Sequence, residues 1–167
     1  MTDTTIRPAQ DTDLPALLDI YNHYVLTTSV TFDIEKRTLE QRREWFAQFS
    51  HSGRYRCFVA ESAGRAVGWA SSARFKEKEA YQTTIETSVY LDPKATGRGL
   101  GKALYAALFA ALAGEDIHRA FAGVTLPNDA SVALHRAAGF VEAGRYGQIG
   151  RKFGKFWDVL LLVKDFA

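Results

Sequence analysis

The chain has one cysteine, Cys57, among its 167 residues. An intrachain disulfide and a cysteine metal cluster are therefore both excluded. Charge of one sign is also scarce: the net charge is +2 and the pI near 8.7. That is too mild to argue for a nucleic-acid partner. Basic residues do gather at 94–102 and 145–155, but a solvated face accounts for such groups. Apolar runs are short and interrupted, so neither a membrane span nor a signal peptide is expected. There is no internal repeat, low-complexity tract or linker. A reducing cytoplasm and a single domain over residues 1–167 are the expectations, with enough chain for a real core.

Within ordinary composition, 47% apolar and 24% charged, one stretch stands out. A β-favouring run from Thr83 to Leu91 stops at Asp92-Pro93. Gly97, Gly99 and Gly101 follow at alternate positions, and Leu100, Leu104, Leu108 and Leu112 then recur every fourth residue. This is a strand, a glycine turn and a helix whose first turn leaves its N–H groups uncovered. Such a turn attracts phosphate through unpaired donors and the positive end of the helix dipole. Arg98 and Lys102 add positive charge. A P-loop needs four residues between its first glycine and Gly-Lys-Ser/Thr; here there are three, and Ala103 follows Lys102. The dinucleotide fingerprint fails because position 102 is Lys where it needs a glycine. A phosphate cradle of another kind and a plain tight turn both stay open on local grounds.

Elsewhere, Thr5 to Pro8 reads as a strand. Thr12 could cap a helix carrying Leu14, Leu17, Leu18, Tyr21 and Val25, with an ordered loop from Asn22 to Phe32. Thr38-Leu39-Glu40-Gln41 has capping-box spacing and opens a second helix through Trp45, Phe46 and Phe49, closed by His51-Ser52-Gly53. Arg56–Glu61 and Ala66–Ser72 form a hairpin turning at 62–65. A charged excursion, 75–81, leads to the Thr83–Leu91 strand, one face of which carries Thr84, Glu86, Ser88 and Tyr90. Beyond the glycine helix come a strand 119–125, a helix 128–138 with Asn128 as its cap, a strand 140–145, a loop 147–154 and a final, largely apolar and so buried strand, 156–163. The order β-α-α-β-β-β-α-β-α-β-β predicts a mixed sheet with helices on both faces.

Thr96-Gly97-Arg98-Gly99-Leu100-Gly101 resembles the Gln/Arg-x-x-Gly-x-Gly/Ala signature of the GNAT acyl-CoA N-acyltransferases, with Thr96 replacing the usual Gln or Arg. Four further stretches are similar to the phosphinothricin N-acetyltransferase family. They are Asn22-His23-Tyr24 with Thr28–Phe32, Ala80-Tyr81 with Glu86–Tyr90, Leu126–Asp129 with Ser131, His135 and Gly139-Phe140, and Lys152-Phe153-Gly154 with Phe156 and Asp158-Val159. This resemblance implies an α/β (α+β) fold, a GNAT-like central mixed sheet of about seven strands flanked by four helices, with acetyl-CoA as cosubstrate. It implies acetylation of the α-amino group of phosphinothricin, methionine sulfoximine or methionine sulfone.

The same resemblance implies the residue roles. Glu86 is the general base, acting on an amine largely protonated at neutral pH; a solvent-facing or lysine-paired strand glutamate is the alternative. His135 occupies the position of the proton donor to the coenzyme A sulfur, and a satisfied helix histidine is its alternative. The Val89 N–H is the oxyanion donor, at a bulge splaying the fourth and fifth strands. Val89, Tyr90 and Leu91 run beside the pantetheine. Thr96, Gly97, Arg98, Gly99, Leu100, Gly101 and Lys102 hold the pyrophosphate, and Asn128, if not simply a helix cap, touches the cofactor with Ser131. Phe75, Lys76, Tyr81 and Phe32 face the acceptor, Lys76 pairing with its carboxylate, unless 75–81 is only a solvated loop. The 152–154 loop is a homodimer contact. A polyamine, an aminoglycoside or a protein N-terminus is the competing acceptor, and a non-catalytic acyl-CoA sensor the competing class.

Overall fold

The structure, a computed structural model, describes residues 4–166. Its strands are β1 (Thr4–Pro8), β2 (Arg56–Ser62), β3 (Arg65–Arg74), β4 (Thr84–Leu91), β5 (Arg119–Leu126), β6 (Val141–Lys152) and β7 (Lys155–Asp165). Its helices are α1 (Leu14–Thr27), α2 (Leu39–Phe46), α3 (Leu100–Ala111) and α4 (Asp129–Ala137). The strands form one seven-stranded sheet in the order β1-β2-β3-β4-β5-β7-β6. Neighbours are antiparallel except β4 and β5, which are parallel and joined through α3. A parallel pair needs such a crossover.

Alternation along the strands sends two sets of side chains to two cores. Ile85, Ala120, Ala122, Leu160 and Leu162 meet Leu104 and Leu108 of α3 and its C-cap Leu112 on one face. Val59 and Trp69 meet Leu14, Leu17 and Ile20 of α1 on the other. There Trp69 stacks on Tyr90 at 4.8 Å. Arg42 of α2, buried, lays its guanidinium over Trp45 at 3.5 Å and Trp69 at 4.5 Å. Burial among rings pulls its pKa down to about 10.

Several sequence expectations are corrected. Helix α1 continues through Asn22, His23 and Tyr24 to Thr27. The polar residues there misled because they serve contacts beyond the helix, with Asn22 bonding both backbone groups of Arg37. Thr12 does not cap α1: it lies inside a 3-10 turn, Asp11–Asp13. The Asp13 carboxylate there takes two bonds from Arg7 and one from the Gln10 N–H. The capping box at Thr38 and Gln41 is present in both directions, though α2 stops at Phe46. Residues 147–152, expected as loop, belong to β6, whose pairing with β7 shifts between Tyr146 and Gly150. The glycines mark that irregularity within a strand. In β7 only Leu160 and Leu162 are fully buried, so the apolar run is not buried throughout as expected, although β7 lies between β5 and β6. Among the described residues no helix is long and apolar enough to cross a membrane.

Candidate active site

The site begins where the parallel pairing ends. Strands β4 and β5 pair at Thr84↔Arg119, Ile85↔Ala120 and Glu86↔Phe121, then part, β4 running on to Leu91 and β5 to Leu126. A cavity of about 770 Å³ opens between them. Its walls are β4 from Glu86 to Leu91, Gly123 to Thr125 of β5, the start of α3 and the inner face of α4. The resemblance implied a bulge at Val89, and this is corrected: the β3–β4 register runs unbroken from Gly68↔Leu91 to Arg74↔Ile85. The separation comes from the lost β5 partner alone. The Asp92 N–H donates to the Val67 carbonyl at 2.8 Å, and successive residues of a strand direct their N–H groups to opposite sides. The N–H groups of Val89 and Leu91 are thus turned away from β3, into the gap.

At one end of the cavity lies the glycine turn. Gly97 and Gly99 hold φ of 74° and 76°, and Gly99 is the N-cap of α3. A Cβ built on either would meet nothing within 4 Å. The left-handed backbone requires glycine here, and the open space beside it leaves the helix start accessible. Gly101 works differently: its Cβ would come within 2.8 Å of the Leu134 side chain, so it sets the close approach of α3 to α4. The Thr96 hydroxyl turns back to donate to the Pro93 carbonyl at 3.0 Å, leaving the cradle to backbone groups. Leu100 and Lys102 line the cavity. Arg98 does not; it is exposed and bonds the Lys94 carbonyl. This donor set, a helix N-terminus with an uncovered first turn and Lys102 beside it, fits a pyrophosphate.

At the other end stands Glu86, half-buried, its carboxyl pKa raised by burial with no charge contributing. Tyr24, Val30, Thr31 and Phe32 join the cavity wall from α1 and the following loop. On α4, Asn128 caps the helix through the Ser131 N–H at 3.2 Å while lining the cavity beside Ser131. His135 lines the cavity too, at 4% exposure. Its Nδ1–H donates to the Ser131 carbonyl at 2.7 Å, so Nε2 accepts from the Tyr105 hydroxyl at 2.8 Å. Burial lowers the imidazole pKa.

A stability prediction follows. His135 is held neutral in the fold but gains a proton near its ordinary pKa of about 6.5 when unfolded. Its contribution is complete above about 6.5 and is lost as pH falls toward the depressed folded value. Urea midpoints of the wild type should fall over that window more steeply than those of His135→Gln; parallel curves would refute it.

Phe75, Lys76 and Tyr81 come together outside the cavity lining. Phe75 packs on Tyr81 at 5.6 Å and on Phe121, the cross-strand partner of Glu86, at 4.9 Å. The Lys76 ammonium sits 5.0 Å from the Phe75 ring centre and 5.1 Å from that of Tyr81. Sequence reasoning passed over Tyr24, whose hydroxyl donates to the Leu91 carbonyl at 2.7 Å. It also passed over Tyr105, which sits inside an ordinary apolar helix stripe and so carries no local signal.

Comparison with known proteins agrees with this geometry. The acetyltransferase (GNAT) family model matches residues 17–140. A phosphinothricin N-acetyltransferase of Streptomyces coelicolor is 48% identical over 159 residues, covering 94% of this chain and 93% of that protein. A phosphinothricin acetyltransferase of Sinorhizobium meliloti, solved with acetyl-CoA, superposes with a TM-score of 0.91 at 30% identity, covering 100% of this chain and 90% of the other. A ribosomal-protein-alanine N-acetyltransferase of Brucella melitensis gives 0.90 at 37%, covering 97% and 99%. With a helix-start cradle, a parted parallel pair and a matching family model over most of its length, the chain belongs to the GNAT acetyltransferase family.

Proposed function

We propose that this protein transfers the acetyl group of acetyl-CoA directly to the α-amino group of a small amino-acid-like acceptor of the phosphinothricin, methionine sulfoximine or methionine sulfone type. One observation carries the reading: a half-buried carboxylate, Glu86, lines the same cavity as a helix start with an uncovered first turn. The names of the Streptomyces coelicolor and Sinorhizobium meliloti proteins support the acceptor class. When bound, acetyl-CoA supplies an acyl carbon activated as a thioester.

The chain's residues divide the work. Gly97, Gly99, Leu100 and Lys102 bind the pyrophosphate, and the main chain of Val89 to Leu91 holds the pantetheine amides as an added strand would. Asn128 and Ser131 flank it. Glu86 attracts the protonated amine and accepts its proton, directly or through water, so that a neutral nitrogen attacks the acyl carbon. The Val89 N–H is the donor we assign to the carbonyl oxygen as charge builds on it. Breaking the carbon–sulfur bond would call for a proton at the sulfur, and His135, on the cavity wall, is the residue we assign to supply it. Phe32 walls the acceptor, and the Phe75–Lys76–Tyr81 cluster at its rim offers the cation for its carboxylate. The chain works as one cytoplasmic domain and pairs as a homodimer through the 152–154 turn, where Phe153 is exposed while the Lys152 side chain is turned inward onto Thr31.

A second acceptor, a protein N-terminus, is favoured by the Brucella melitensis relative. Thiol release from acetyl-CoA over a panel decides: phosphinothricin, methionine sulfone, methionine sulfoximine, a polyamine and a peptide with N-terminal alanine. Fastest turnover is expected with the three amino-acid acceptors. Fastest turnover with the peptide would transfer the assignment to protein N-termini. Coenzyme A binding without release from any amine would replace the enzyme with a sensor.

A further inference from the structure

The loop that forms the acceptor wall is gripped from two sides. From below, the Tyr21 hydroxyl bonds Thr31 Oγ1 at 2.9 Å and Asp33 at 2.7 Å. From above, the far end of β6 reaches over it. The Lys152 ammonium, 4% exposed, donates to the Thr31 carbonyl at 2.8 Å. Two residues earlier on the same face of β6, Gly150 lies against the Phe32 ring, three carbons of which would stand within 2.6 Å of a Cβ built there. Phe32 therefore occupies space that any side chain at 150 would claim, and its other surface lines the cavity.

The lysine is informative because it is a poor choice for stability. Its ammonium is buried with a neutral carbonyl as its hydrogen-bond partner, and burial lowers its pKa with Asp33 opposing from a distance. An apolar side chain of the same length would avoid that desolvation. What only the ammonium provides is a directed bond across 121 residues of chain to the carbonyl next to Phe32.

We propose that Gly150 and Lys152 form a latch from β6 onto the 28–33 loop, and that the position of Phe32 under this latch sets which acceptor side chains fit. Gly150 and Lys152 are positioning residues; Phe32 is the wall they place. This rests on the acceptor assignment given above, and its consequence is a specificity rule. A side chain at 150 drives the Phe32 ring toward the cavity, so acceptors with long side chains suffer more than alanine-sized ones.

Two measurements test it. In Gly150→Ala, the ratio of kcat/KM for methionine sulfone to that for alanine should fall by about tenfold, a size typical of one methylene in a pocket, with KM for acetyl-CoA unchanged. In a Phe32→Ala background the same Gly150→Ala change should have no further effect on the ratio. An unchanged ratio in the wild-type background, or equal effects in both backgrounds, overturns the rule. Lys152→Met should leave the melting temperature level or higher, yet raise amide hydrogen exchange in 28–33 about tenfold while α3 is unaffected. Unchanged exchange there overturns the latch. Exchange is read without any acceptor, so a protein that acetylates nothing on the panel would refute the function and still decide the latch.

Discussion

Glu86→Gln should lower kcat by about 10²–10⁴-fold, the usual worth of a positioned general base, and leave acetyl-CoA affinity unchanged. The amide keeps the shape of the side chain and its place beside Phe121 but cannot take a proton from the amine. Affinity should survive because the glycine turn is far away: the five residue steps from Glu86 to Leu91 alone span roughly 17 Å of strand. The pH profile supplies a second readout. Burial raises the Glu86 pKa, so the base is lost on acidification earlier than an ordinary carboxylate would be. The acid limb of kcat/KM should lie above the usual carboxylate range in the wild type and disappear in Glu86→Gln. Isothermal titration with acetyl-CoA and steady-state kinetics check both halves. A variant as active as the wild type removes Glu86 from the chemistry.

The second large effect is expected at the donor end. Gly99→Val places a β-branched side chain at a φ of 76°, on the residue that caps α3. Backbone strain of about 1–3 kcal/mol results, and the new methyls stand beside N–H groups that must meet an anion. KM for acetyl-CoA should rise about 10–100-fold, on the scale of 1.4 kcal/mol per tenfold, while kcat at saturation changes far less. The opposite split, a lost kcat with an unchanged KM, would mean that the turn does not hold the donor.

The sequence showed the two ends unequally. Seven strands, four helices and their order were legible, because each core face repeats with a strand or helix period and the caps at Thr38 and Asn128 are local chemistry. The glycine turn was legible for the same reason. What escaped depends on distant partners. Residues 147–152 look like a loop until β7 is seen to pair with them, and Asn22 looks like a helix end until Arg37 is seen to hold it. Tyr105 is an aromatic in an apolar stripe until His135 arrives from α4. The parting of β4 and β5 has no local sign, since it is an absence of pairing between strands whose residues would pair well. Gly101 has a second reason to be glycine that the alternation with Gly97 and Gly99 did not show: besides lining the cavity, it lets α3 approach Leu134 of α4 closely.

The parting of β4 from β5 also divides the protein's evolutionary freedom. Along Val89–Leu91 the groups turned into the gap are peptide N–H groups, which every residue but proline carries whatever its side chain, whereas the helix start needs glycine at 97 and 99 and adds the Lys102 ammonium. On the proposed function, what Phe32, Glu86 and the 75–81 cluster would offer the acceptor is side chain. Substitutions at these acceptor positions would then retune what is acetylated while leaving the N–H groups of Val89–Leu91 in place. The same scaffold can try new amines without giving up its fuel.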